Sequence, residues 1–483
     1  MPRVLRWFAS VLVAASALAA GAIAVASPPA STAAARALVA WPEFGLNPQR
    51  TNATDRATGI TAANVGHLHL LTVALPGTVD SSAIYLHRAS VNGGTHNVAV
   101  VTTDYGITVA VDADSGRILW RFVPRGIGAW SGSAQVTTAS PVADPSGAYV
   151  YATSPDGLVH KLSLASGREQ AGWPVSITPD PHHEKLTASL NIADGYVLAS
   201  TGGYYGDAPP YVGHIAAIPF AGGRVAHVFN TLCANRATVI NPASCSASDS
   251  AILSRSGPVV EPGARRVLIA TGNAPYNGKT DFGDSVIELT LPDLRFRQAY
   301  TPIDQAKLNT GDLDLGSGSP ALLPGNLAWI AGKDGLQRVL NLAALDGRRP
   351  GTRPRTGGEL QTLPTPGSQQ IFTSPAVWRR MLFVADGGGT DAYRVSGRRL
   401  QPLWQNSTPG TSPVLAGGLL YVYSPNGNGI AVYAPANGHV IATLSAPPGH
   451  WNSPIIVDGH VIEPTGNDND HKLTGSLTIY STR

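Results

Sequence analysis

The side chains here that could do chemistry are Asp207, Arg255, Asn273, Asn277, Lys279, Asp281, Asp284, Asp304, Asp312, Asp314 and Lys333. Carboxylate and amide oxygens in a cluster suit a hard cation such as calcium. A carboxylate beside a cation and a lysine can also take a proton as a base. The same residue types build turns, because Asp and Asn side chains bond their own backbone. Position decides between the two uses. Other chemistries lack a signature. GSGSP (316–320) is not the Gly-x-Ser-x-Gly of a nucleophile elbow. His67 and His69 alternate along one strand and His182-His183 sits beside prolines, so these histidines read as structural or exposed. Asp468-Asn469-Asp470 could touch calcium, or be a solvated loop tip.

What must position these residues is a repeat. The stretch TGNAPYNGKTDFGDSVIEL (271–289) has strand-like ends and a polar middle too long for a tight hairpin. One complete unit runs from 140 to 175. Ser-Pro opens a short strand, and Asp144-Pro145-Ser146-Gly147 turns. Strands follow over 149–153 and 158–164, joined by Pro155-Asp156-Gly157, and a fourth over 170–175 carries Trp173. The opening serine recurs as Ser82, Ser140, Ser189, Ser256, Ser319, Ser374, Ser412 and Ser453. About eight four-stranded units close best as blades around an axis, since radial repetition protects sheet edges. The expectation is an all-β, eight-bladed propeller, with seven blades as the alternative. The apolar stretch 67–76 precedes the first unit and is placed to add a strand to the last blade.

In a four-stranded meander the second-to-third turns and the blade crossings share one face. Most second-to-third turns are minimal, as in Lys333-Asp334-Gly335. Three are swollen: 202–213, 273–283 and 466–475. Two long crossings join them, one with both cysteines and Arg255, the other over 301–320. The polar excess therefore gathers at one mouth, where a rigid scaffold commonly carries a site.

Composition bounds the rest. The 483 residues are 13% charged with a net charge of +3 and contain no Lys/Arg run, which argues against a nucleic-acid partner. Arg3 and Arg6 precede an apolar run (7–26) ending in Ala24-Val25-Ala26, the pattern of a signal peptide over 1–26 and export. An uncleaved N-terminal membrane anchor is the alternative; after cleavage no membrane span is expected. Residues 27–40 read as a disordered Ala/Ser/Pro linker and 41–483 as one propeller domain. Export permits a disulfide between Cys233 and Cys245, two free thiols being the other reading.

WPEFGLNPQRTNATD (41–55) and AVDADSGRILW (110–120) resemble the lead-in and repeat of the quinoprotein propeller superfamily. It includes alcohol dehydrogenases that use pyrroloquinoline quinone (PQQ) and calcium, and non-enzymatic relatives such as the outer-membrane assembly propeller. The resemblance implies PQQ and calcium as cofactors and alcohol or sugar oxidation as the activity. It implies that Asn273, in TGN, is a calcium ligand and that Asp207 is the nearest match to a ligating glutamate. It nominates Asp314, or Asp312 in a shifted register, as the catalytic base, and Lys333, in GKDG, as the group facing the quinone oxygens. Arg255 and Asn277, on mouth connections, are the other cofactor-contact candidates. The adjacent cysteine pair of many such dehydrogenases is absent, and no stacking tryptophan is placed. The repeat does not separate enzymes from scaffolds. A non-catalytic, cell-surface or extracytoplasmic propeller meeting protein or polysaccharide is the alternative; a monomer is expected in either case.

Overall fold

The computed structural model describes residues 40–482. The expected leader and all but the last residue of the expected linker lie outside the described residues. Ala40 already pairs with Leu86 in a strand. Among the described residues no helix is long and apolar enough to cross a membrane.

Eight sheets of four or five strands form the propeller blades. Blade 1 is built on Ile84–Val91, blade 2 on Val142–Ala143, blade 3 on Asn191–Ala193 and blade 4 on Val259–Val260 as innermost strands. Blades 5 to 8 start at Ala321–Leu323, Ala376–Trp378, Val414–Ala416 and Ile455–Val457. Blade 8 is completed by His69–Leu75, which pairs antiparallel with the C-terminal strand Gly475–Ser481, Leu70 opposite Tyr480. The apolar stretch before the first unit thus closes the ring, as expected. In blade 2 the fourth strand shrinks to Val175–Ser176. Pro174 has no N–H for the ladder, so pairing cannot extend through it.

Alternating apolar residues fill the space between blades. Val142, Tyr151 and Ile192 lie in the cluster joining blades 2 and 3. Leu268, Val286 and Ile330 join blades 4 and 5. A larger cluster, with Val101, Tyr421 and Ile462, joins blades 7, 8 and 1. Each fully buried Val, Ile or Leu contributes roughly 1.5–3 kcal/mol.

The recurring serines form a buried ring at the axis. The backbone N–H of Ser82 donates to Ser140 Oγ (2.9 Å), that of Ser256 to Ser319 Oγ (3.1 Å) and that of Ser374 to Ser412 Oγ (2.9 Å). The Ser82 and Ser453 hydroxyls meet at 2.7 Å across the closure. A small side chain with both donor and acceptor capacity is what this packed ring needs.

Below the ring the lead-in plugs the channel. Trp41 pairs with the innermost strand of blade 1, and Ala53–Thr54 runs parallel to that of blade 7. Between them, Pro42 O accepts from Ala143 N in blade 2 (2.8 Å) and Pro48 O from Val260 N in blade 4 (2.9 Å). Arg50 is buried, bonded to Glu43 (2.9 Å) and to Leu190 O (2.7 Å). Burial pushes the Glu43 carboxyl up to about 7, against the pull of Arg50.

Candidate functional site

Innermost strands run away from the serine ring, so the blade crossings and second-to-third turns share the face opposite the plug. The three swollen loops and both long crossings therefore open there. Cys233 and Cys245 are joined as a disulfide within the crossing from blade 3 to blade 4. Cys245 packs against Val212, Leu232 and Ala274, bracing the roots of two swollen loops. Closing so short a loop contributes roughly 3 kcal/mol.

Two polar clusters occupy this mouth. The first lies over blades 4 and 5. Lys333 Nζ sits 2.5 Å from Asp314 Oδ2 and 2.9 Å from Asp312 Oδ1. The Asn273 backbone N–H donates to Asp314 Oδ1 (2.7 Å), and its Nδ2 donates to Asp312 Oδ1 (2.9 Å). Asn273 Oδ1 is buried and has no partner. Glycines let three backbone segments meet here. A Cβ on Gly272 would stand 2.3 Å from Asp314 Oδ1, and one on Gly332 would stand 2.4 Å from the Asp314 carbonyl. Burial works against the Lys333 charge, but Asp314 and Asp312 outweigh it and raise its pKa. Asp207, on the swollen loop of blade 3, accepts from Tyr211 Oη at 2.9 Å. Its carboxyl is raised by partial burial, against the Tyr211 bond, with Asp314 and Asp312 adding. Behind the cluster, Asp284 accepts from Leu315 N (3.2 Å) and Gln305 Nε2 (3.2 Å), and burial pushes it up to about 8.

The second cluster closes the pore floor. Arg255, from the crossing between blades 3 and 4, reaches half-way round the ring to the crossing between blades 8 and 1. There its Nη1 donates to Asp80 O (3.0 Å) and its Nη2 lies 3.5 Å from Asp80 Oδ1. His450 Nδ1 stands 2.6 Å from Asp80 Oδ2 and 3.4 Å from Asp468 Oδ1. Lys185 Nζ pairs with Asp468 Oδ2 at 2.5 Å. Asp104 Oδ1 accepts from Asp80 N (3.0 Å), while Asp104 Oδ2 is buried without a partner. Burial lowers the His450 pKa, yet Asp80 and Asp468 overcome it and the net shift is upward. Asp468 goes well below the usual range because Lys185 and His450 outweigh its burial. Asp104 goes well above it through burial, then through repulsion from Asp80 and Asp468. Trp451 stacks on Phe372, ring centroids 4.8 Å apart, and lies 4.6 Å from the His450 ring.

The structure thus brings Asn273, Asp312, Asp314 and Lys333 together, with Asp207 within electrostatic reach. It places Arg255 in the other cluster. Asn277 is spent on its own loop: its Oδ1 accepts from the N–H groups of Lys279, Thr280 and Asp281, and its Nδ2 bonds Asp281. Asp80, Asp104, Lys185, His450 and Trp451 were not singled out from the sequence. Asp468 is buried, not a solvated loop tip. Among the described residues Asp80, His450 and Asp468 are the trio whose ligand atoms all lie within 4.8 Å of one another. Lys185 and Arg255 already supply positive charge there.

Residues 66–240 match the family described as outer membrane protein assembly factor BamB. No curated protein matches the sequence. Among solved structures, the quinohemoprotein alcohol dehydrogenase from Comamonas testosteroni is 14% identical, over 91% of this chain and 80% of that one, with a TM-score of 0.64. A europium-containing methanol dehydrogenase is 13% identical over 92% and 98%, with a TM-score of 0.65. BamB from Moraxella catarrhalis is 12% identical over 86% and 97%, with a TM-score of 0.54. At such identities the likeness is one of fold. The chain has the eight-bladed quinoprotein-type propeller fold with PQQ-like repeats, as the sequence resemblance implied.

Proposed function

We propose that this is an exported oxidoreductase whose mouth holds a quinone of the PQQ class with a divalent cation and oxidises a small alcohol or sugar hydroxyl. The observation that carries this reading is the convergence of Asp312, Asp314 and Lys333 beside Asn273, whose buried amide oxygen has no partner. A hard cation takes such an oxygen together with carboxylates. Asn273 Oδ1 would hold it, with Asp207 on the adjoining loop. Lys333 is fixed as a cation, and its ammonium would face the electron-rich edge of the bound group. When bound, a quinone supplies a two-electron acceptor. The chain's own part would be acid–base and electrostatic: Asp314 would take the substrate hydroxyl proton, and Lys333 would stand beside it as the fixed positive charge. The basic head and apolar run of residues 1–26 and the Cys233–Cys245 disulfide support an extracytoplasmic location.

A non-catalytic binding module is the second reading. The match of residues 66–240 to an assembly-factor family supports it, as does the absence of adjacent cysteines from the sequence. Titration of the purified protein with PQQ and calcium separates the two. The enzyme reading expects a saturable absorbance change and dye-linked oxidation of alcohols. A folded protein with neither leaves the binding module.

A further inference from the structure

The face opposite the mouth carries a local surplus of arginine. Its turns join first to second and third to fourth strands. In blade 6 these turns hold Arg379 and Arg380, between Ala376–Trp378 and Met381–Asp386, and Arg398, between Gly389–Ser396 and Arg399–Asn406, with Arg399 opening the latter strand. All four are exposed, as is Arg394 above them. No carboxylate lies in either turn. Arg379 meets Asp55 of the lead-in at 3.2 Å, with both side chains more than half exposed. Among the described residues no carboxylate pairs with Arg394, Arg398 or Arg399. The connection from 342 to 360 in neighbouring blade 5 carries Arg348, Arg349, Arg353 and Arg355 against Asp346 and Glu359, and Arg353 reaches Asn277 O of the mouth loop at 3.0 Å. Elsewhere on this face acids offset the arginines: Asp114 beside Arg117 in blade 1, Asp144 and Glu169 around Arg168 in blade 2. The largest arginine surplus on this face therefore sits on blade 6. Trp378 lies at the base of the patch, the Arg379 guanidinium 4.6 Å from its ring centre. A groove of about 390 Å³ runs between Trp378, Arg380, Arg394 and Ser396.

The chain also reaches the propeller from this side. The innermost strand of blade 1 runs from the mouth face to this one, and Ala40–Trp41 pairs antiparallel to it, so Ala40 opens toward the arginine face. In the sequence the apolar run 7–26 is tethered to Ala40 by thirteen residues, 27–39. Such a tether spans at most about 45 Å. From these observations we infer that the arginine face docks on a membrane surface bearing anionic phosphate headgroups. Guanidinium groups bind phosphate through paired N–H donors. An indole at the base of the patch suits the membrane–water interface. The opening of Ala40 on this face, with an apolar run thirteen residues upstream in the sequence, favours a membrane over a soluble polyanion. Each arginine near an anionic surface adds to the attraction, which fades beyond a Debye length.

The test is co-sedimentation of the full chain with vesicles of phosphatidylcholine alone, or with about 30% phosphatidylglycerol, at about 0.1 M and 0.5 M salt. The apolar run and its Arg3/Arg6 head are common to every variant, so the change in lipid preference between wild type and variant reads the blade 6 arginines. Expected is an at least roughly ten-fold preference for anionic vesicles at low salt, lost at high salt. It should vanish in R379E/R380E/R398E/R399E and survive in K279E/K307E, which alters exposed cations on the mouth face. If the quadruple variant fails to fold, R398Q/R399Q with an unchanged melting temperature should lower the preference several-fold. Equal binding to both lipids overturns the inference. So does equal loss in the mouth variant, or arginine-dependent binding of soluble polyphosphate with no vesicle binding.

Discussion

The two clusters in the mouth use the same residue types to different ends. Over the pore, Asp80, His450, Asp468, Lys185 and Arg255 come from connections around the whole ring and neutralise one another. Over blades 4 and 5, Asp312, Asp314, Lys333 and Asn273 come from adjacent segments and lie half open. Asp468 and Lys185 side chains are 6% and 9% exposed, whereas Asp312 is 67% exposed. A buried, balanced network fixes geometry. A half-open one can exchange an internal partner for a ligand. The account therefore assigns stability to the first cluster and binding to the second.

Substitutions should pull the clusters apart. Lys185→Met strands the buried Asp468 charge and should cost about 3–5 kcal/mol in urea unfolding. A loss under 1 kcal/mol would remove the structural role of the pore network. Lys333→Met should cost less than Lys185→Met, since Asp312 turns to water and Asp314 keeps the Asn273 N–H, yet abolish cofactor binding.

His450 gives a pH signature. Its folded pKa is raised, so its contribution is full below the ordinary imidazole value of 6.5. That contribution is lost as pH rises through the raised value. Several buried carboxyls also titrate upward, among them Asp284 at about 8, so the informative quantity is wild type minus His450→Gln. That difference should shrink as pH rises from 6 to 9, and a constant difference would contradict the bridged imidazolium. At the small end, Asp312→Asn should change stability by no more than about 0.5 kcal/mol. A larger loss would show that the outer cluster, too, is structural.

The fold was legible because its signals are local. Asp-Gly and Ser-Gly turns, strand pairs and the recurring serine all act within one blade or its neighbour. The apolar stretch ahead of the first unit showed how the ring closes. The outer cluster was legible through short motifs, since TGN, DLDLG and GKDG each bring a glycine where backbones must touch. The pore cluster was not. Its bonds join residues 370 apart for His450 and Asp80, 283 for Lys185 and Asp468, and 175 for Arg255 and Asp80. No local pattern marks such a pairing. Asp468 looked like a loop tip because nothing near it in sequence announces Lys185. The lead-in's place inside the channel was hidden for the same reason, as its partners belong to several blades.

Calorimetric titration of PQQ with calcium into wild-type protein and into the Lys333→Met and Lys185→Arg variants tests the central division most directly. The account predicts one site per chain in wild type and Lys185→Arg, and none in Lys333→Met. Binding that survives Lys333→Met, or is missing from folded wild-type protein, would contradict it.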